Sequence, residues 1–189
     1  SLGREFSAAV TLILKSLKAG GKVVVTGIGK NLHIAEKISA TLTSTGAPRV
    51  VLNPSQAMHG DFGILAPNDI LLALSYSGES SELNNLLPLV RRLGIKVVTF
   101  TGCLDSAMAR CSDLAVPVTV AREACPFNMA PTTSTTATLA VGDALAIVLL
   151  EARGFRREDY AKLHPGGAIG RTLLLRVHDI MRTGNRLAV

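Results

Sequence analysis

Short apolar, β-branched runs alternate with helix-patterned stretches along most of this chain, and that alternation restricts the fold more than any single motif does. Lys22–Thr26, Arg49–Leu52, Asp69–Leu74, Ile95–Phe100 and Leu114–Val118 read as strands. Between the first two, Lys30–Ser44 places Ile34, Ile38 and Leu42 on one helical face. Over Glu79–Leu93, Leu83, Leu86, Leu87, Val90 and Leu93 recur at helical spacing, with Gly94 as a stop signal. Ser106–Cys111 is a weaker third crossover, and an amphipathic helix over Phe6–Leu17 precedes the first strand. Two helical stretches follow the last strand, one from the Pro131–Thr136 region to Gly154 and a shorter one over Arg156–Lys162. The pattern predicts an α/β domain: a five-stranded parallel sheet with helices on both faces.

A chain of 189 residues buries a full core, and its 48% hydrophobic, 4% aromatic content with no Trp suits helices packed closely on a sheet. The formal charge of +6 is spread along the sequence, with only short clusters such as Arg156-Arg157 and no interleaved aromatics. A nucleic-acid partner is not expected, and a phosphorylated metabolite accounts for the charge equally well. Cys103, Cys111 and Cys125 are odd in number and lack metal-ligand spacing, so reduced thiols and a cytoplasmic location are expected. No signal peptide is recognised. The apolar stretch Ala137–Leu150 reads as too short to span a membrane and carries Asp143.

Ligands of open parallel sheets bind beyond the carboxyl ends of the strands. Two strand-to-helix turns there carry chemistry. In Ser75-Tyr76-Ser77-Gly78-Glu79-Ser80-Ser81-Glu82 the hydroxyls and backbone amides converge ahead of a helix N-terminus, which suits a phosphate. A single cap accounts for Ser77 or Ser80 alone, but not for all of these serines. Glu79 and Glu82 are either ordinary first-turn acids or, for Glu82, an ionised general base. Thr26-Gly27-Ile28-Gly29-Lys30-Asn31 is neither a P-loop nor a full dinucleotide fingerprint, since position 32 is Leu. Lys30 is either a solvated lysine on a tight turn or a cation that meets an oxyanion.

The remaining candidates sit in loops. Glu123, in Arg122-Glu123-Ala124-Cys125-Pro126, matters only if its loop folds over the rim, and Cys125 reads as a small packed residue rather than a nucleophile. His59 and His164 have side chains able to move protons near neutrality, whereas His33 and His178 occupy helical or tail contexts. The Thr132–Thr136 run reads as a helix cap that also lines the site.

Taken together, these segments resemble the sugar-isomerase (SIS) domain and, within it, the arabinose-5-phosphate isomerases. The resemblance runs from Gly20 to Leu175. Its strings are GIGK at Gly27–Lys30, STGAP at Ser44–Pro48, HGDFG at His59–Gly63, SYSGESSE at Ser75–Glu82, EACP at Glu123–Pro126, PTTSTTA at Pro131–Ala137, GDALA at Gly142–Ala146 and HPGGAIGR at His164–Arg171. It implies a flavodoxin-like sheet, a homotetramer, and interconversion of D-ribulose 5-phosphate and D-arabinose 5-phosphate feeding Kdo and lipopolysaccharide synthesis. By position, Lys30, Glu82, Glu123 and His164 match the family's catalytically relevant residues, and His59 with Gly46-Ala47 match substrate contacts.

Two departures stand out. Asn31 replaces the serine that many relatives carry after the lysine. Asn53 replaces a histidine linked to metal binding, so no metal is expected, nor any organic cofactor. Residues 1–176 read as the SIS domain, and 177–189 as a linker into a cystathionine-β-synthase-type module. The mechanism so implied runs through a cis-enediol(ate): Ser75, Ser77 and Ser80 hold phosphate, Glu82 or Glu123 shuttles the proton, with Glu82 favoured, and Lys30 faces the oxyanion. The rival readings are another phosphosugar isomerase and a non-catalytic phosphosugar sensor.

Overall fold

A computed structural model of the chain describes residues 3–167, 171–172 and 176–182. After helix α1 (Arg4–Lys18), strands β1 (Val23–Gly27), β2 (Arg49–Leu52), β3 (Ile70–Leu74), β4 (Lys96–Thr101) and β5 (Leu114–Pro117) form one sheet in the order β2-β1-β3-β4-β5. Every pairing is parallel. Helices α2 (Lys30–Ser44), α3 (Pro54–Ala57), α4 (Ser81–Arg92) and α5 (Ala107–Cys111) belong to the crossovers, and α6 (Thr133–Ala152) and α7 (Arg157–Leu163) follow the sheet. The expected flavodoxin-like α/β sheet is therefore the observed one.

The strands are legible because a parallel sheet is covered on both faces, so its strands become nearly continuous apolar runs. All of β1 and β3 is buried. Their side chains alternate between two cores. Val23, Val25, Ile70, Leu72 and Leu74 pack with α1, α2 and α6, while Val24, Leu71 and Ala73 pack with α3, α4 and α5. Helix α1 closes the first face through Phe6, Ala9 and Ile13.

Three local readings change. The second crossover helix starts at Ser81 rather than Glu79, because the Glu79 carboxylate turns away and accepts the Ala107 amide at 2.8 Å, at the start of α5. The loop after β2 contains α3 and a 3-10 turn over Asp61–Ile64, which its sequence did not announce. Asn53 caps α3 by accepting the Ser55 amide at 3.0 Å, so the amide found in place of a histidine has a local structural job. Val177–Ile180, expected as linker, forms a short helix, α8; the remainder of that segment, residues 183–189, lies outside the described residues.

Helix α6 also corrects the length argument against a membrane span. It runs for 20 residues with mean hydropathy 1.5, long and apolar enough by those measures alone. Packing supplies the better account: Thr138, Gly142, Leu145, Ala146 and Leu149 are buried, and Gly142 lies directly against Ile38 of α2. A Cβ added at 142 would overlap the Ile38 side chain. Gly142→Val should therefore destabilise by about 1–3 kcal/mol, seen as a melting temperature lowered by about 2–4 °C per kcal/mol. An unchanged melting curve would contradict this close approach of α2 and α6.

Candidate functional site

A cleft of about 420 Å³ opens at the carboxyl ends of the strands. Ile28 and Asn31 reach it from the turn after β1, Ser75, Tyr76, Ser77 and Ser80 from the turn after β3, and Arg122, Glu123, Ser134 and Thr135 from the loop and helix after β5. Strand order reverses between β1 and β3, and such a switch point leaves a crevice because the flanking helices run to opposite faces.

The helix N-termini at this rim differ in how their free amides are satisfied. Helix α5 is closed by its own protein: Ser106 accepts the Ala109 amide at 3.3 Å and Glu79 accepts that of Ala107. Helix α6 is closed by Glu123. Among the described residues, helices α2 and α4 have no side-chain cap, their N-cap positions being Gly29 and Ser80. Both open onto the cleft. First turns left without a side-chain cap, with the positive end of a helix dipole behind them, favour an anion.

The serine turn is folded for this arrangement. Ser75 Oγ accepts the Gly78 amide at 3.1 Å and stands 3.1 Å from Ser80 Oγ, while Ser77 Oγ accepts the Glu79 amide at 3.3 Å. Gly78 has φ +67, and a side chain there would strike Ser106, so glycine is required on both counts. Ser75 is buried, Ser80 half-buried and Ser77 exposed, which grades the hydroxyls from floor to mouth.

Glu123 is only 8% exposed. Its Oε2 accepts the Thr132 amide at 2.8 Å, the Thr132 hydroxyl at 3.1 Å and the Ser134 amide at 3.2 Å. The Ser134 hydroxyl beside it and then the Thr132 amide hold the carboxyl well below its ordinary 4.5, at about 2. Ser134 Oγ is buried and meets no partner at hydrogen-bond geometry among the described residues, so its influence is that of a nearby dipole. The loop around Glu123 is stapled to itself. Asn128 Oδ1 accepts the Glu123 amide at 2.6 Å, and Cys125 Sγ accepts the Met129 and Ala130 amides at 3.0 and 3.1 Å. Those donors, Ala130 first, lower the Cys125 thiol. Cys125 is half-buried with its sulfur engaged by the loop backbone.

Of the residues singled out in the sequence, Ser75, Ser77, Ser80, Asn31 and Glu123 meet in this cleft. Lys30 and Glu82 lie in the first turns of α2 and α4, exposed and outside the cleft lining, and Glu82 accepts Ser81 Oγ at 3.1 Å. His59 is exposed beyond α3. Gly46, Ala47 and His164 do not join them. Gly46 and Ala47 precede β2, with Gly46 against Phe155, and His164 lines a separate hollow with Thr43 and Arg49. That is the amino end of β2, roughly 10 Å of strand away from the rim. His164 stacks on Tyr160 at 4.1 Å and its Nδ1 lies 2.9 Å from the Tyr160 carbonyl. Of the HPGGAIGR string, residues 168–170 lie outside the described residues. Sequence reading passed over Tyr76, Arg122 and Asn128, although Tyr76 sits inside the serine turn and Arg122 beside Glu123.

A carboxyl depressed in the folded state stabilises fully above its unfolded value and loses that contribution as pH falls through the folded one. For Glu123 the window runs from 4.5 down to about 2. The melting temperature of Glu123→Gln should fall furthest below wild type at neutral pH, and the gap should close as pH drops across that window. A gap that stays constant down to about pH 2.5 would contradict the cap.

Comparison with known proteins agrees with this geometry. The SIS domain profile matches residues 16–148. Arabinose 5-phosphate isomerase KdsD of Escherichia coli O6:H1 is 55% identical over 167 residues, covering 88% of this chain and 51% of that protein. KdsD of Pseudomonas aeruginosa is 50% identical over 186 residues, 98% of this chain and 56% of that one. The chain thus spans about half the length of the curated relatives it matches. The solved structure of E. coli CFT073 c3406 in complex with arabinose 5-phosphate superposes with a TM-score of 0.81 at 37% identity, covering 85% of this chain and 84% of that one. An α/β sheet of this order, an anion-ready cleft at its switch point and these likenesses together place the chain in the SIS domain family.

Proposed function

We propose that this chain interconverts D-ribulose 5-phosphate and D-arabinose 5-phosphate through a cis-enediol(ate), as an isomerase acting on sugar phosphates. The observation that carries the reading is the pair of uncapped helix N-termini, α2 and α4, that open onto one hydroxyl-lined cleft. A tightly bound phosphate at the far end of the substrate supplies orientation for the reacting carbons. Identity of 46–55% to proteins named arabinose 5-phosphate isomerase supports the pentose phosphate over other sugars.

The two glutamates have different environments, and that divides their work. Glu123 spends its carboxylate on the α6 N-terminus, and a carboxyl with a pKa of about 2 is a poor proton acceptor. It fixes the wall of the cleft. Glu82, exposed at the first turn of α4 outside the cleft lining and bonded to the Ser81 hydroxyl, is left to move the proton between C1 and C2 of a sugar whose carbonyl end extends past that turn. Lys30, likewise exposed at the first turn of α2, meets the developing enediolate oxygen at that end.

Within one protomer, His164 and the Gly46-Ala47 turn face the wrong end of the sheet for this chemistry. Their contribution to substrate therefore comes from a neighbouring subunit, which makes a homo-oligomer, a tetramer, part of the proposal. Large apolar side chains left open support such assembly: Phe127 and Met129 are each 81% exposed beside the cleft, and Ile147 and Val148 are exposed on α6. The reading includes a cytoplasmic enzyme of Kdo and lipopolysaccharide synthesis, with residues 1–176 as its SIS domain.

Glu82→Gln should still bind sugar phosphate yet lose about 10²–10⁴-fold in exchange of the substrate's C1 and C2 protons with solvent. Undiminished exchange would remove Glu82 from the base role. Lys30→Ala should lower kcat far more than it raises KM; the reverse pattern would make Lys30 a phosphate anchor instead.

A further inference from the structure

The backbone between the end of β5 and Glu123 has few supports. Val118 continues the sheet by donating its amide to the Thr101 carbonyl at 2.8 Å, and Glu123 is held at the far side by Asn128. Between them, among the described residues, the backbone of 119–122 meets one partner. Tyr76 Oη donates to the Val120 carbonyl at 3.3 Å and accepts the Val120 amide at 3.4 Å. The two residues are separated by 44 positions in sequence.

Tyr76 is itself fixed. Its carbonyl accepts the Gly102 amide at 2.9 Å and the buried Thr101 hydroxyl at 3.2 Å, which pins the serine turn to the end of β4. Its ring lies close against Gly102, where a Cβ would overlap it. The side chain is thus a rigid post. It rises from between Ser75 and Ser77 and ends on the strand of loop that carries Arg122 and Glu123, and all of these residues line the same cleft.

We infer that Tyr76 is a positioning residue: its phenol holds the loop bearing Arg122 and Glu123 in register with the serine turn, so that both walls of the cleft meet one ligand. Arg122 is the sole cation among the cleft-lining residues and forms no hydrogen bond or ion pair there among the described residues. Its placement therefore depends on how its backbone is held. The kinetic half of the test rests on the isomerase reading, whereas the exchange half does not.

Tyr76→Phe keeps the ring on Gly102 and removes both bonds to Val120. Amide hydrogen exchange at Val120, whose amide donates to the Tyr76 hydroxyl, should accelerate about tenfold, the scale of a lost pair of neutral hydrogen bonds in a local opening, while exchange in β1, β3 and β4 stays as in wild type. With ribulose 5-phosphate, kcat should fall about tenfold and inhibition by inorganic phosphate should stay within about twofold, because the serine turn is intact. Gly102→Ala, which keeps the tyrosine hydroxyl but displaces the ring that carries it, should reproduce both effects. Unchanged exchange at Val120 would overturn the inference. So would faster exchange with undiminished kcat, or a loss of phosphate inhibition in step with kcat, which would move Tyr76's role into the anion site. Should wild-type protein isomerise no sugar phosphate, the functional reading fails, and the exchange measurement alone decides whether Tyr76 holds the loop.

Discussion

All strands of this sheet run the same way, so every strand-to-helix turn lies on one rim and every helix-to-strand turn on the other. That constraint decides which residues can meet. The turns after β1 and β3 and the loop after β5 are brought together although they lie far apart in sequence. The same rule keeps Gly46 and Ala47, which connect α2 to β2, away from them. Burial of both sheet faces fixes the strands, and the strands fix the rim.

At that rim, electrostatics separates structure from function. A helix N-terminus attracts negative charge whether the anion belongs to the protein or arrives from outside. Glu123 and Glu79 fill the positions at α6 and α5, and the depressed carboxyl of Glu123 records how well its place suits a charge. Helices α2 and α4 keep their first turns free of any side-chain cap among the described residues. In the proposed function, the carboxylate inside the cleft serves as a wall and the neighbouring open termini serve the ligand. On that reading the hydrogen bonds to Thr132 and Ser134, which also depress its pKa, mark Glu123 as a well-held group rather than the reacting one.

The sheet could be read from sequence because buried parallel strands leave apolar runs, α2 because Ile34, Ile38 and Leu42 recur at helical spacing, and α6 because it is a long apolar stretch bounded by the threonine run and Gly154. Short pieces such as α3 bury too little to leave a pattern. The serine turn was legible for a related reason: strand, hydroxyls and helix are contiguous from Ile70 to Arg92. The role of Glu123 was not, since its partners lie at 132 and 134 and depend on how the intervening loop closes. Tyr76 illustrates the same limit, as no local pattern links it to Val120. For Gly46 and Ala47 the signal was present but unused: residues between a helix and the next parallel strand belong to the far rim.

A crystal structure of the protein grown with D-arabinose 5-phosphate tests the central claim most directly. The account predicts phosphate oxygens within about 2.6–3.2 Å of hydroxyls on Ser75, Ser77 or Ser80 and of first-turn amides of α4, with Glu123 still bonded to Thr132 and Ser134. A phosphate bound elsewhere, with the cleft between α2, α4 and α6 empty, would contradict it.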